Sequence, residues 1–308
     1  MRDLKNKLTS SKNTKNIQTR KGKSFGYQVL GFGAGGAGGS PFLVATGGTE
    51  TTSGNCKIHT FTGPGTFTVC SVGTEATNNL VSYIVVAGGG GAGHGGGGGG
   101  GFREVVSPTA PYTGSPLNGY PTAPNRITVT ATAFPITVGA GGAIGPDTGT
   151  CQTSGADSIF STITSTGGGK GGSGSPGGPP NGVPTVNAKG ATGGSGGGSG
   201  ASGSSGVTVP GGLGNTPPVG PAQGTNGGAG RYVFNSFGGG GGGGGAGGCG
   251  GCYSCGEGIT GGPGTVSNIT AAPVTYSRGG PSPATANSGN GSTVAGNSGI
   301  VVIRYKIQ

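Results

Sequence analysis

Cys249, Cys252 and Cys255, spaced three apart, come nearest in type and spacing to a metal centre. A C-x2-C-x2-C run suggests zinc or an iron–sulfur cluster. A fourth ligand is missing nearby: the other cysteines are Cys56, Cys70 and Cys151, and the histidines are His59 and His94. On a threefold extended strand, residues three apart also sit about 9 Å from each other, too far to share one ion. No metal and no cofactor is expected. Disulfides formed in an oxidising medium and free thiols both stay open, and the pair favoured by position is Cys56 with Cys70. His94 stands alone in a glycine run, without a base or nucleophile to work with. Gly167-Gly-Gly-Lys-Gly-Gly-Ser lacks the spacing of a phosphate loop. No catalytic residue is assigned, and the chain reads as a non-enzymatic protein.

Recognition chemistry is better represented. Residues 111–120 carry Tyr112 and Tyr120 among Pro and Gly, and residues 231–237 pack Arg231, Tyr232, Phe234 and Phe237 into seven positions. Tyr and Arg are the residue types that dominate binding hot spots, and loops on rigid scaffolds carry them best. Tyr112, Tyr120, Arg231, Tyr232 and Phe237 are therefore the partner-contact candidates. The competing reading is that these side chains cap a core that has few large side chains of its own.

A second interaction element is electrostatic. Within residues 1–24, Arg2, Lys5, Lys7, Lys12, Lys15, Arg20, Lys21 and Lys23 face a single acid, Asp3, so most of the net charge of +10 lies in this arm. Such an arm can bind nucleic acid, an anionic membrane or an acidic protein surface, and the plain alternative is a solvated tail. No aromatic residue interleaves the basic ones before Phe25, so nucleic acid is not expected. No run of 18 apolar residues and no apolar stretch behind the basic start is present, so neither membrane insertion nor a signal peptide is expected.

The elements that must position these residues are unusual. Of 308 residues 83 are Gly and 21 are Pro, about a third of the chain. Residues 88–101 are broken only by Ala92 and His94, and residues 238–251 only by Ala246 and Cys249. Gly loses more backbone entropy on folding than any other residue and buries no side chain in return. Compensation must come from backbone hydrogen bonds. Extended threefold strands with polyproline II dihedrals can stack laterally when no Cβ keeps them apart, and satisfying one run then requires several others beside it. Flexible linkers would not recur as long runs set between turn-forming segments. The sequence thus predicts a mainly β chain with little or no helix: a short β-sandwich or hairpin region plus a stacked polyglycine-II-like bundle. Three regions are expected: a basic arm and hinge over 1–40, a β region over 41–86, and a glycine-rich region over 87–308 closed by a strand at 300–307.

Within the β region, Lys57–Phe61 and Thr66–Cys70 flank Thr62-Gly-Pro-Gly65, a hairpin signal. Residues 80–86 and 300–305 are nearly continuous apolar runs, as expected of strands covered on both faces, and they are expected to pair. Residues 127–138 switch parity around Pro135, which reads as an edge strand with a bulge.

The segments KIHTFTGPGTFTV, VSYIVVAGGGGAGHGGGGGGGFRE, PITVGAGG, GADSIFSTITSTGGGKGG and GNSGIVVIRY occur in this order. Over about residues 43–308 the chain resembles the glycine-rich domain at the ends of bacteriophage tail-fibre and related virion proteins. It is also similar in composition to the polyglycine-sandwich tips of long tail fibres. The resemblance implies a virion component made in the host cytoplasm, with host-facing loops on a rigid glycine body. Its expected partners are other virion proteins through the basic arm and a host surface glycan or outer-membrane protein, with homo-oligomer formation as a further expectation. A capsid or tail decoration or connector protein is the alternative. An ice-binding protein would need a regular Thr or Ala face and a signal peptide, and the sequence shows neither.

Overall fold

The computed structural model describes residues 39–145, 152–174, 186–200, 208–231, 243–251, 260–281, 285–292 and 294–308. Pro41–Gln308 form one unit, distinct from Met1–Ser40. The fold is mainly β, with 28% of the described residues in strands and 4% in helical turns. In chain order the strands are β1 (Val44–Thr46), β2 (Thr49–Ser53), β3 (Cys56–Phe61), β4 (Gly65–Ser71), β5 (Ser82–Val86), β6 (Phe102–Val105) and β7 (Ala133–Thr137). They continue with β8 (Ser158–Phe160), β9 (Ile163–Ser165), β10 (Thr208–Val209), β11 (Gly230–Arg231), β12 (Thr265–Ser267), β13 (Val274–Tyr276) and β14 (Ile300–Lys306).

Two five-stranded antiparallel sheets, ordered β1-β4-β7-β8-β9 and β2-β3-β14-β5-β6, enclose the main core. The two apolar runs sit side by side as expected, with Ile300 opposite Val86 and Ile303 opposite Tyr83. Alternation sends Tyr83, Val85, Val301, Ile303 and Tyr305 between the sheets, against Phe67, Ile136 and Phe160. It sends Ile84, Val86, Ile300 and Val302 to the outer face, where Phe102, Ile269 and Tyr276 cover them. Each such side chain contributes about 1.5–3 kcal/mol by burial. The hairpin β12–β13 thus closes the second face.

Three expectations are corrected. β3 and β4 do not form a hairpin: β3 pairs with β2 and β14, and β4 with β1 and β7. The turn at 62–64 carries the chain from one sheet to the other, so that Phe61 and Phe67 both reach the core. Cys56 and Cys70 therefore lie in different sheets, and both are free, the first buried and the second exposed. β7, which carries Pro135, is not an edge strand, since it lies between β4 and β8. β8 pairs only with Ile136 and Thr137, so the missing N–H of Pro135 falls just before its second neighbour begins.

β1 passes to β2 through Gly47 and Gly48, whose φ values of +119° and +62° suit glycine. Beside this crossing His59 is fully buried, stacked on Tyr305 and edge-on to Phe67. Its Nδ1 lies 2.7 Å from the Gly47 carbonyl, which can only accept, so Nδ1 carries the proton and Nε2 accepts from the Tyr305 hydroxyl at 3.1 Å. Burial holds the His59 pKa below its ordinary value, against the nearby Glu50 carboxylate.

Glycine segments continue from one end of the sandwich. In the run 95–101, the N–H groups of Gly95, Gly98 and Gly101 donate to the carbonyls of Gly172, Gly169 and Thr166. Those of Gly97 and Gly100 donate to Ser292 and Gly289, and that of Gly99 to Gly244. The carbonyls of Gly96 and Gly99 accept from Gly198 and Ser195, that of Gly97 from Gly280, and that of Gly98 from Gly90. Partners repeat every third residue, the signature of a threefold strand, and this run touches six neighbouring segments. The expected stacked bundle is present.

The sandwich hands over to the bundle within two residues. Side chains hold packed sheets about 10 Å apart, yet Gly88 N–H already donates directly to Ala156 of the opposite layer, at 3.0 Å. Two serines bridge the transition, Ser158 donating to the Val86 carbonyl at 2.8 Å and Ser165 to the Val85 carbonyl at 2.7 Å.

Candidate functional site

The hydrogen-bond ladders give the unit of Pro41–Gln308 two distinct ends. At the sandwich end, Asn78 Nδ2 donates to the Pro41 carbonyl, Lys306 lies over the Phe42 ring, and Ile307 N–H donates to Asn55. The chain enters the unit and finishes there. At the opposite end, Gly145 donates to Ala92, Ser173 to Asn187, Gly200 to Ala188 and Gly251 to Thr260. β10 pairs there with β11, tied in by Ser199 Oγ donating to Val209. The described residues bracketing 146–151, 175–185, 201–207, 232–242 and 252–259 all lie at or next to this end. The short turn at 92–95, which carries His94, is there too, and Ile144 and Val294 stand about half exposed on strands flanking Ala92.

The contact candidates distribute unevenly over this frame. Arg231 is exposed on β11, at the loop-bearing end. Tyr232 and Phe237 lie outside the described residues, as do Cys151, Cys252, Cys255 and the whole arm from Arg2 to Lys23. Cys249 is free and exposed. Tyr112 and Tyr120 are near the sandwich instead. Tyr120 is half-buried against the main core, with the Arg126 guanidinium 4.5 Å above its ring and Arg126 Nε donating to its carbonyl. Tyr112 packs on the outer apolar face, and its hydroxyl donates to Glu104.

Glu104 is the residue that sequence reasoning missed. It is 2% exposed on β6, and its carboxylate accepts from Tyr112 Oη at 3.1 Å, Ser115 N at 2.6 Å and Ser267 Oγ at 2.6 Å. The Arg304 guanidinium lies 5.7 Å from the centre of the Tyr112 ring and donates to the Ile269 carbonyl. Burial, then the charge of Glu104, holds the Tyr112 pKa well above its ordinary value. The carboxylate therefore ties β6, the 112–115 loop and β12 together while the phenol stays protonated. Nothing in Phe102-Arg-Glu-Val105 marks it, because Arg103 beside it makes the pair read as an ordinary surface ion pair.

Among the described residues, no three His, Cys, Asp or Glu side chains gather to hold a metal ion. The geometry offers a body with Pro41 and Phe42 at one end and, at or next to the other, the described residues that bracket 146–151, 175–185, 201–207, 232–242 and 252–259.

No curated protein and no solved structure matches the chain. The family model described as a glycine-rich domain matches residues 61–306. That span runs from the end of β3 to the end of β14 and contains every described part of the bundle. The chain belongs to the glycine-rich domain family.

Proposed function

We propose that this protein is a non-enzymatic structural component of a bacteriophage particle, a tail-fibre or adhesin-type element. Its basic arm fixes it to other virion proteins, and its loop-bearing end meets the host surface. The observation that carries this reading is the polarity of the unit. Pro41 and Phe42, the first residues of the unit, lie at the sandwich end, while Arg231 and the described residues bracketing 146–151, 175–185, 201–207, 232–242 and 252–259 lie at or next to the far end of the bundle. A glycine bundle held by backbone hydrogen bonds supplies rigidity, and side-chain specificity falls to the segments between the glycine runs.

The alternative, a decoration or connector protein without receptor binding, is favoured by one observation. Tyr112 and Tyr120, two of the contact candidates, are engaged with the protein's own core. Deleting residues 1–24 and imaging particles labelled against residues 41–308 tests both readings. The attachment reading expects a folded truncated protein that is lost from particles, and label at fibre ends when the arm is intact. Label spread over a capsid lattice selects the decoration reading, and normal incorporation without the arm overturns the anchoring role.

A further inference from the structure

A cavity of about 320 Å3 opens where the β12–β13 hairpin meets the glycine segments at Arg278 and Asn290. Its lining is Pro273, Val274, Thr275, Arg278, Thr285 and Asn290. We propose that this cavity binds an acidic sugar unit, with Arg278 gripping its carboxylate or phosphate group.

The composition supports each part of that assignment. Pro273 and Val274 form an apolar wall suited to the C–H face of a pyranose, and Thr275 and Thr285 bring hydroxyl groups that can both donate and accept. Arg278 is exposed, and no carboxylate of the described residues forms an ion pair with it. Its planar guanidinium matches carboxylate and phosphate oxygens bidentately. The backbone beneath it is fixed on both sides: Arg278 N–H donates to Asn290 Oδ1 at 2.9 Å, and its carbonyl accepts from Gly291 N–H at 2.7 Å. Asn290 is buried, and its side-chain oxygen is occupied in holding that backbone, which makes it a positioning residue. The Arg278 stem lies along Gly264, where a side chain would displace it. The volume is at the small end of ligand pockets, the size of one sugar rather than a chain.

The test is a titration of the purified full-length chain, followed by saturation-transfer NMR, with sodium glucuronate, glucose 6-phosphate and glucose. Because it uses no cells or particles, it stands or falls separately from the attachment reading. The expected result is binding of an acidic probe at about millimolar Kd. Arg278→Gln should weaken it about tenfold or more, the order of one lost charge-assisted hydrogen bond. Glucuronate binding identifies a carboxylate ligand and glucose 6-phosphate binding a phosphate ligand, both within the proposal. Thr285→Val should weaken the same probe without moving the melting temperature, and it carries the test should Arg278→Gln unfold the protein. The proposal is overturned if glucose binds as well as the acids, if no probe binds, or if Lys189→Gln costs as much as the cavity variants.

Discussion

Replacing Gly97 by Ala places one methyl group where the bundle has no room for it. A Cβ there would sit 2.0 Å from the Gly90 carbonyl oxygen and 2.6 Å from its carbon. Reaching an ordinary contact of 3.4 Å requires the two strands to part by about 1.4 Å. One hydrogen bond spans that gap, Gly90 N–H to Gly98, and two more hold the strand that would be displaced, Gly97 N–H to Ser292 and Gly280 N–H to Gly97. At about 1 kcal/mol each, with about 1–3 kcal/mol more if one buried donor is left unpaired, the loss is at least about 4 kcal/mol. Against a total stability of about 5–15 kcal/mol, that is a large fraction. For a domain of this size it corresponds to a melting-temperature drop of about 8–16 °C. Gly63→Ala is the matched control, because a Cβ at Gly63 meets nothing within 4 Å. It should leave stability unchanged or raise it by less than about 1 kcal/mol, through the unfolded chain. Differential scanning calorimetry of the three proteins decides. If Gly97→Ala melts with wild type, close packing is not what selects glycine here.

Glu104→Gln should destabilise the protein by about 2–3 kcal/mol in urea denaturation, because an amide N–H would face one of the three donors that the carboxylate now accepts. His59 gives a pH dependence of known sign. Its folded pKa lies below the unfolded value because burial disfavours the cation, so its contribution is complete above about pH 6.5 and is lost as pH falls through the folded pKa. Urea midpoints at pH 7.5 and 5 should fall more for wild type than for His59→Asn, and equal slopes would remove His59 as the cause.

The sequence displayed the bundle and the two central strands more openly than it displayed their neighbours. Residues 80–86 and 300–305 are apolar at both parities, and such a run has few alternatives to a strand covered on two faces. The hairpin reading at Thr62-Gly-Pro-Gly65 failed because turn chemistry is local, while the choice of sheet depends on where Phe61 and Phe67 are buried. The same limit applied at Pro135. Its missing N–H does exclude a second strand neighbour at that residue, but β8 begins to pair one residue later. Glu104 was invisible for a different reason: one of its partners, Ser267, is 163 residues away in the chain. Tyr112 looked like a loop contact until that carboxylate accounted for its hydroxyl.

The sandwich and the bundle solve each other's difficulty. Ordering a glycine costs about 1–2 kcal/mol of backbone entropy, and the hydrogen bonds that it makes in a stack contribute about 0.5–1.5 kcal/mol net each. A glycine stack by itself is therefore close to break-even, and its register is undetermined because one glycine is like the next. Six sandwich strands remove that freedom, since β5, β6, β7, β8, β9 and β14 all begin or end where the bundle starts. Their registers are set by side chains such as Tyr83, Val85, Phe160 and Ile303, buried between the sheets. Ser158 and Ser165 carry that register across the junction, next to where the glycine bonds begin. Substitutions at the far end meet only bundle strands whose positions were decided elsewhere, so they cost the fold little. Substitutions at the junction have no such latitude. Ser158→Ala removes both the donor to Val86 and the acceptor for Gly139 N–H, and it weakens the step on which every later strand depends.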